Sequence, residues 1–178
     1  LYQHFKQIAG AISLPIMLYN VPGRTGINLL PETVARLAQI ENIVAIKEAS
    51  GSMDQVSTLM TLLPEDMTVY SGDDSLTLPM MALGARGVVS IASHLAGNEI
   101  LAMIEAFSNG DNKRAVDLHK QLFPIFKGLF IATNPVPLKE ALNQLGQNVG
   151  GLRLPLIEAN ATEKIFIQEL LTNAKLLP

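Results

Sequence analysis

Four short runs along the chain are apolar at four or five successive positions and rich in Ile and Val: LPIMLYN (14–20), NIVAIKEA (42–49), MTVYSG (67–72) and ARGVVSIAS (85–93). A strand with one wet face alternates apolar and polar residues, whereas a parallel strand buried on both faces does not. The runs therefore predict four interior parallel strands. Helical segments with readable ends lie around them. The opening LYQHFKQIAG has amphipathic spacing; LPETVARLAQI carries Pro31 and Glu32 where a first turn accepts them. SMDQVSTLMTLL can be capped by Ser52 and stops before Pro64, and SLTLPMMAL runs to Gly84 with Pro79 disturbing its first turns. GNEILAMIEAF follows the fourth run.

Strand followed by helix, repeated every ~20–27 residues, gives an α/β fold with right-handed crossovers. The unusual residues gather where the strands end: Tyr19-Asn20, Lys47-Glu48, Ser71-Gly72-Asp73-Asp74 and the small residues Ser90 to Ser93. In βα folds that rim is where chemistry is placed. After residue 110 the strand pattern ceases. DNKRAVDLHKQLFPIFKGLFIA, NPVPLKEALNQLG and NATEKIFIQELLTN read as three helices, the last capped at Asn160 or Thr162, with QNVGGLRLPLIEA as a Gly/Pro-rich connector. Domain organisation is expected to follow: 1–110 as the βα part, 111–178 as a helical region.

Composition narrows the function classes. The 178 residues are 48% hydrophobic and 16% charged, enough apolar material for a sizeable aliphatic core. A net charge of −3 with scattered Lys and Arg leaves no footprint for nucleic acid or anionic membrane. The apolar stretches are too short to cross a bilayer. Cysteine is absent, which fits a reducing cytoplasm, and His4, His94 and His119 lack ligand spacing, so neither metal nor cofactor is expected. The start reads as helix rather than signal peptide and lacks Met, so sequence upstream is expected.

Lys47 is the odd residue, a lysine closing an apolar run. An ammonium in a dry interior is costly unless paired or deprotonated. In one reading Lys47 sits in a buried ion pair with Glu48 or Asp73. In the other it is a Schiff-base nucleophile. At the ordinary lysine pKa about one amine in 2,500 is neutral at pH 7, and lowering that pKa to neutrality corresponds to roughly 4 kcal/mol, within the reach of burial. Tyr19 ends the preceding strand and is either a core tyrosine or a phenol placed to move protons beside the amine, since adjacent strands lie about 4.8 Å apart. Arg24, in the turn held by Pro22, Gly23 and Gly26, is either a surface arginine or a bidentate clamp for a carboxylate. Asp73, Asp74 or Ser75 can cap the next helix, while Gly72 can let a substrate approach the backbone.

Together YNVPGRTG (19–26), IVAIKEASG (43–51), YSGDD (70–74), GVVSIAS (87–93) and NPVPLKEAL…GLRLPL resemble the dihydrodipicolinate synthases, in the pyruvate-dependent Schiff-base aldolase and lyase superfamily. The resemblance spans the chain. It implies a TIM (β/α)8 barrel with a C-terminal helical region, of which this chain holds strands five to eight and the tail. It implies that Lys47 forms the imine with pyruvate and Tyr19 relays protons. Arg24 would bind the carboxylate of aspartate semialdehyde, Val89 would contact pyruvate through its backbone, and Gly72 would line the pocket. The family's first four strands are not in this sequence, nor are their threonine pair, Gly-rich carboxylate loop and second tyrosine. The expectation is lysine-biosynthetic chemistry in the cytoplasm, weak or absent in this chain alone, with homo-oligomers (tetramers in the full-length family) or complementation by the other half. Two alternatives stand beside it: an N-acetylneuraminate or keto-deoxy-sugar aldolase using the same lysine, and a non-catalytic half-barrel assembly module.

Overall fold

The computed structural model describes residues 1–177. The chain divides into two compact units, Leu1–Ser90 and Ile91–Pro178. In the first, the four apolar runs form one parallel sheet in chain order: β1 (Ile16–Asn20), β2 (Ile43–Glu48), β3 (Thr68–Ser71) and β4 (Gly87–Val88). Helices α1 (Tyr2–Ala11), α2 (Pro22–Thr25), α3 (Pro31–Leu37), α4 (Met53–Leu62) and α5 (Thr77–Ala82) occupy the connections. Ser52 caps α4 by accepting the Gln55 N–H, as its position predicts. The Pro79 segment divides into a 3-10 turn, Asp74–Leu76, and α5. Gly84 follows with φ 111°, a conformation open to glycine.

Register decides which residues share a face. Ile16 pairs with Ile43 and Met17 with Ala45, so Val44 is an extra residue on β2 and the alternation is reset there. Beyond this bulge Leu18 lies beside Ile46 and Val69 on the side covered by helices. That side is the core: Leu18, Ile46 and Val69 pack with Val34, Leu37, Val56, Leu59 and Met80. The other side carries Met17, Ala45, Thr68 and, at the rim, Tyr19, Lys47 and Tyr70 in one row. Within the unit this second face is open, with Met17 42% and Tyr19 44% exposed.

The fourth run is shorter as a strand than the pattern predicts. Only Gly87–Val88 is strand, although the Arg86 N–H to Val69 and the Val89 N–H to Ser71 continue the bonding on either side. Small residues that leave room at the rim also give little side chain to hold a ladder, and the chain bends at Ile91.

The second unit is helical: α6 (Ser93–Ser108), α7 (Asn112–Gly128), α8 (Val136–Gln144) and α9 (Ala161–Asn173). Helix α6 begins four residues earlier than GNEILAMIEAF suggests, with a non-helical Ala96 inside it. Helix α7, capped by Asp111, runs through Pro124 and stops at Gly128. Asn160 and Glu163 form a reciprocal capping box on α9, which decides between Asn160 and Thr162. No helix among the described residues is long and apolar enough to cross a membrane.

Ile46 is fully buried at the centre of the first unit, one residue before Lys47. Ile46→Ala is expected to lower unfolding stability by about 2–5 kcal/mol through the cavity it leaves. Urea denaturation followed by circular dichroism measures it.

Candidate active site

The parallel pairing sets Tyr19 opposite Lys47 and Lys47 opposite Tyr70, so the lysine stands between two phenols on the open face. Lys47 Nζ lies 4.3 Å from the centroid of the Tyr19 ring. Strand register thus brings together the two residues the rim pattern singles out, through the ring face of Tyr19. The ion-pair reading of Lys47 is not what forms. Glu48 points to the opposite side of β2, where its carboxylate is occupied by amide donors from Asn20, Gln55 and Ser50. Asp73 is occupied too, its Oδ1 accepting from the Ser75 N–H and hydroxyl, both at 2.8 Å. It is Asp73 that caps the turn.

Gly72 is fixed by a geometric demand. Its N–H donates to the Glu48 carbonyl at 2.7 Å, drawing the loop after β3 onto the end of β2. A Cβ at this position would stand 2.7 Å from Ala49 Cβ and 3.1 Å from both Lys47 Cγ and Cε. The absent side chain is therefore the space through which the lysine passes. Gly72 thus lies directly against the Lys47 side chain. Val89 sits at the same rim, its N–H donating to the Ser71 carbonyl at 2.9 Å. Arg24 lies on the single turn of α2, closed by Gly26 at φ 71° with its N–H bonded to the Pro22 carbonyl. The guanidinium is exposed and close enough to act electrostatically on Lys47.

The Lys47 amine is held below the ordinary lysine range. Partial burial is the largest cause, opposed by the negative charge of Asp74 and assisted by the positive charge of Arg24. Asp74 is 3% exposed, so its influence on Lys47 passes through protein rather than water. Sequence reasoning gave Asp74 a capping role and missed this one. It also passed over Tyr70, Asn28 and Gln55. Tyr70 could have been found by carrying the alternation of β2 across to β3; nothing in the local pattern marks Asn28 or Gln55.

The chain matches, over residues 1–174, the family model described as the dihydrodipicolinate synthetase family. It is 60% identical to the 4-hydroxy-tetrahydrodipicolinate synthase of Desulforamulus reducens over 178 residues, covering 99% of this chain and 60% of that protein. The synthase of Desulforudis audaxviator is 59% identical over 177 residues, with the same coverage of 99% and 60%. Among solved structures, the enzyme of Cyanidioschyzon merolae with lysine bound superposes with a TM-score of 0.96 at 46% identity, over 99% of this chain and 60% of that one. The chloride-inhibited synthase of Acinetobacter baumannii in complex with pyruvate gives a TM-score of 0.94 at 38% identity, again over 99% and 60%. The chain therefore spans about 60% of the length of the curated relatives it matches.

The charges around Lys47 make opposite predictions for two substitutions. Asp74→Asn removes a neighbour that favours the ammonium, so the Lys47 pKa falls further; Arg24→Met removes one that opposes it, so the pKa rises. Titration of the Lys47 side chain by NMR in isotopically labelled protein reads both directions.

Proposed function

Because this chain belongs to the dihydrodipicolinate synthetase family, we propose that Lys47 is the imine-forming residue of a pyruvate-dependent lyase that condenses pyruvate with L-aspartate 4-semialdehyde to give 4-hydroxy-tetrahydrodipicolinate, in lysine and diaminopimelate biosynthesis. The observation that carries the reading is a lysine of lowered basicity on the open rim, in register with a tyrosine whose ring is 4.3 Å away. Its neutral amine adds to the keto carbon of pyruvate, and the carbinolamine loses water to give the imine. Loss of a methyl proton gives an enamine, whose terminal carbon forms the new bond to the aldehyde carbon. Each step moves a proton at or beside the amine, the task assigned to Tyr19. Arg24 holds the carboxylate of the semialdehyde, by a bidentate pair that a mobile point charge could not match. The Val89 carbonyl and the floor at Gly72 orient pyruvate against Lys47.

In the same reading, residues 1–110 are the second half of a (β/α)8 barrel and 111–178 the appended helical region. The open sheet face, with Met17 and Tyr19 exposed, supports a partner that covers it: a homo-oligomer, or a polypeptide supplying the rest of the relatives' length. The chain alone then turns over weakly. A carboxylate clamp at Arg24 favours the semialdehyde over the polyol substrates of the sugar aldolases. A cytoplasmic location belongs to the same proposal.

Pyruvate and borohydride are expected to attach one reduced pyruvate to Lys47, located by peptide mass spectrometry, and to leave a folded Lys47→Met variant unlabelled. Labelling elsewhere, or none in the wild type, would sink the assignment. Gly72→Ala is expected to slow the capture at least about tenfold, because the added methyl occupies the path of the lysine side chain.

A further inference from the structure

Glu48 presents a problem that the chemistry above does not use. It is 2% exposed and carries a charge, yet no cation pairs with it among the described residues. Its carboxylate instead accepts from Asn20 Nδ2 at 2.9 and 3.3 Å, from Gln55 Nε2 at 3.1 Å and from the Ser50 N–H at 2.6 Å. Burying a carboxylate on neutral donors is costly unless every donor is held in place. Here they are held by one another. Asn20 Nδ2 also donates to Asn28 Oδ1 at 2.8 Å, and Asn28 Nδ2 donates to Gln55 Oε1 at 2.7 Å. Asn20 Oδ1 accepts the Leu29 N–H at 2.9 Å.

The topology of this ring matters more than its size. Asn20 is the last residue of β1, and Asn28 with Leu29 precedes α3. Between these fastenings runs 21–27, which carries Arg24 and is exposed or half-buried throughout. One end of the loop, Asn20, is thus bonded directly to a buried carboxylate, and the other, Asn28, reaches it through Asn20 and Gln55; that carboxylate is the residue next to Lys47. We propose that Glu48 is a positioning residue: its carboxylate holds Asn20 and Gln55, the two side chains that fasten the 28–29 end of the loop to its start, and so fixes where the Arg24 guanidinium stands relative to the Lys47 amine. The inference rests on the roles given above to Lys47 and Arg24. It makes Glu48 a determinant of how the second, carboxylate-bearing substrate is held, with pyruvate capture largely independent of it.

Glu48→Gln tests the clasp with little change of shape. The new amide turns a donor toward donors, so at least one of the Asn20, Gln55 and Ser50 contacts is lost. Amide hydrogen exchange at 21–28 is expected to quicken at least about tenfold, while the amides of β2 and α4 keep their protection. In the same protein the semialdehyde KM is expected to rise at least about tenfold, with borohydride capture of pyruvate within about threefold of wild type. Unchanged loop exchange overturns the proposal, as does a fall in pyruvate capture that matches the loss toward the semialdehyde. Should Glu48→Gln not fold, Gln55→Met removes one donor and leaves the Asn20 contact. It should loosen the same loop by less, and no loosening overturns the clasp. A wild-type chain that captures no pyruvate refutes the reading of Lys47, and the exchange measurement still decides whether Glu48 holds the loop.

Discussion

The pairing of β1 with β2 is the constraint from which the rest follows. Once Met17 lies beside Ala45, every later position is assigned: Tyr19 must face Lys47 on the open side, and Asn20 must face Glu48 on the side of the helices. A slip of one residue would exchange these sets, burying the amine in the core and turning the carboxylate outward. The register is held by the apolar residues between them. Leu18 and Ile46 are both buried against the helices, and neither can leave without losing its burial. An aliphatic core with no polar atoms is therefore what places the polar rim.

The bulge at Val44 belongs to the same account. Without the extra residue, Ile43 and Lys47 would share a face, because they are four positions apart. With it, Ile43 joins the helix-side core while Lys47 points to the open face. One inserted residue lets an apolar strand be buried against the helices at its start and present Lys47 on the open face at its end.

How far the sequence could be read follows from the range of the forces involved. The strands were legible because runs of apolar residues leave a local mark, although within the first unit only the helix-covered face is buried. Ser52 and the choice of Asn160 or Thr162 as the cap of α9 were legible because helix ends obey short-range rules. The rim was legible as a place, and the Tyr19–Lys47 neighbourhood followed from it. What could not be read depended on partners distant in sequence. Asn28 and Gln55 are ordinary polar residues until folding brings them to Glu48. Gly72 reads as a place where a substrate can approach the backbone, and only the close passage of the Lys47 side chain shows why a methyl group is excluded. The fourth run was overextended for a related reason: its small residues fit a strand pattern, while the ladder depends on what β3 offers it.

The two charged neighbours at the end of β2 also explain each other. A lysine and a glutamate side by side would ordinarily be read as a pair, and a pair would hold the amine cationic. Strand alternation separates them, but separation alone would leave a buried carboxylate without compensation, a state that costs several kcal/mol. Three amide donors provide for Glu48 what the ammonium would otherwise have provided. Freed from that task, the Lys47 amine is governed mainly by its partial burial, with Asp74 as the opposing charge and Arg24 as the assisting one. The lowered basicity of the Lys47 amine is thus compatible with a buried acid next to it because that acid is satisfied elsewhere. The polar ring around Glu48 and the apolar setting of Lys47 are two sides of one strand solving one electrostatic problem.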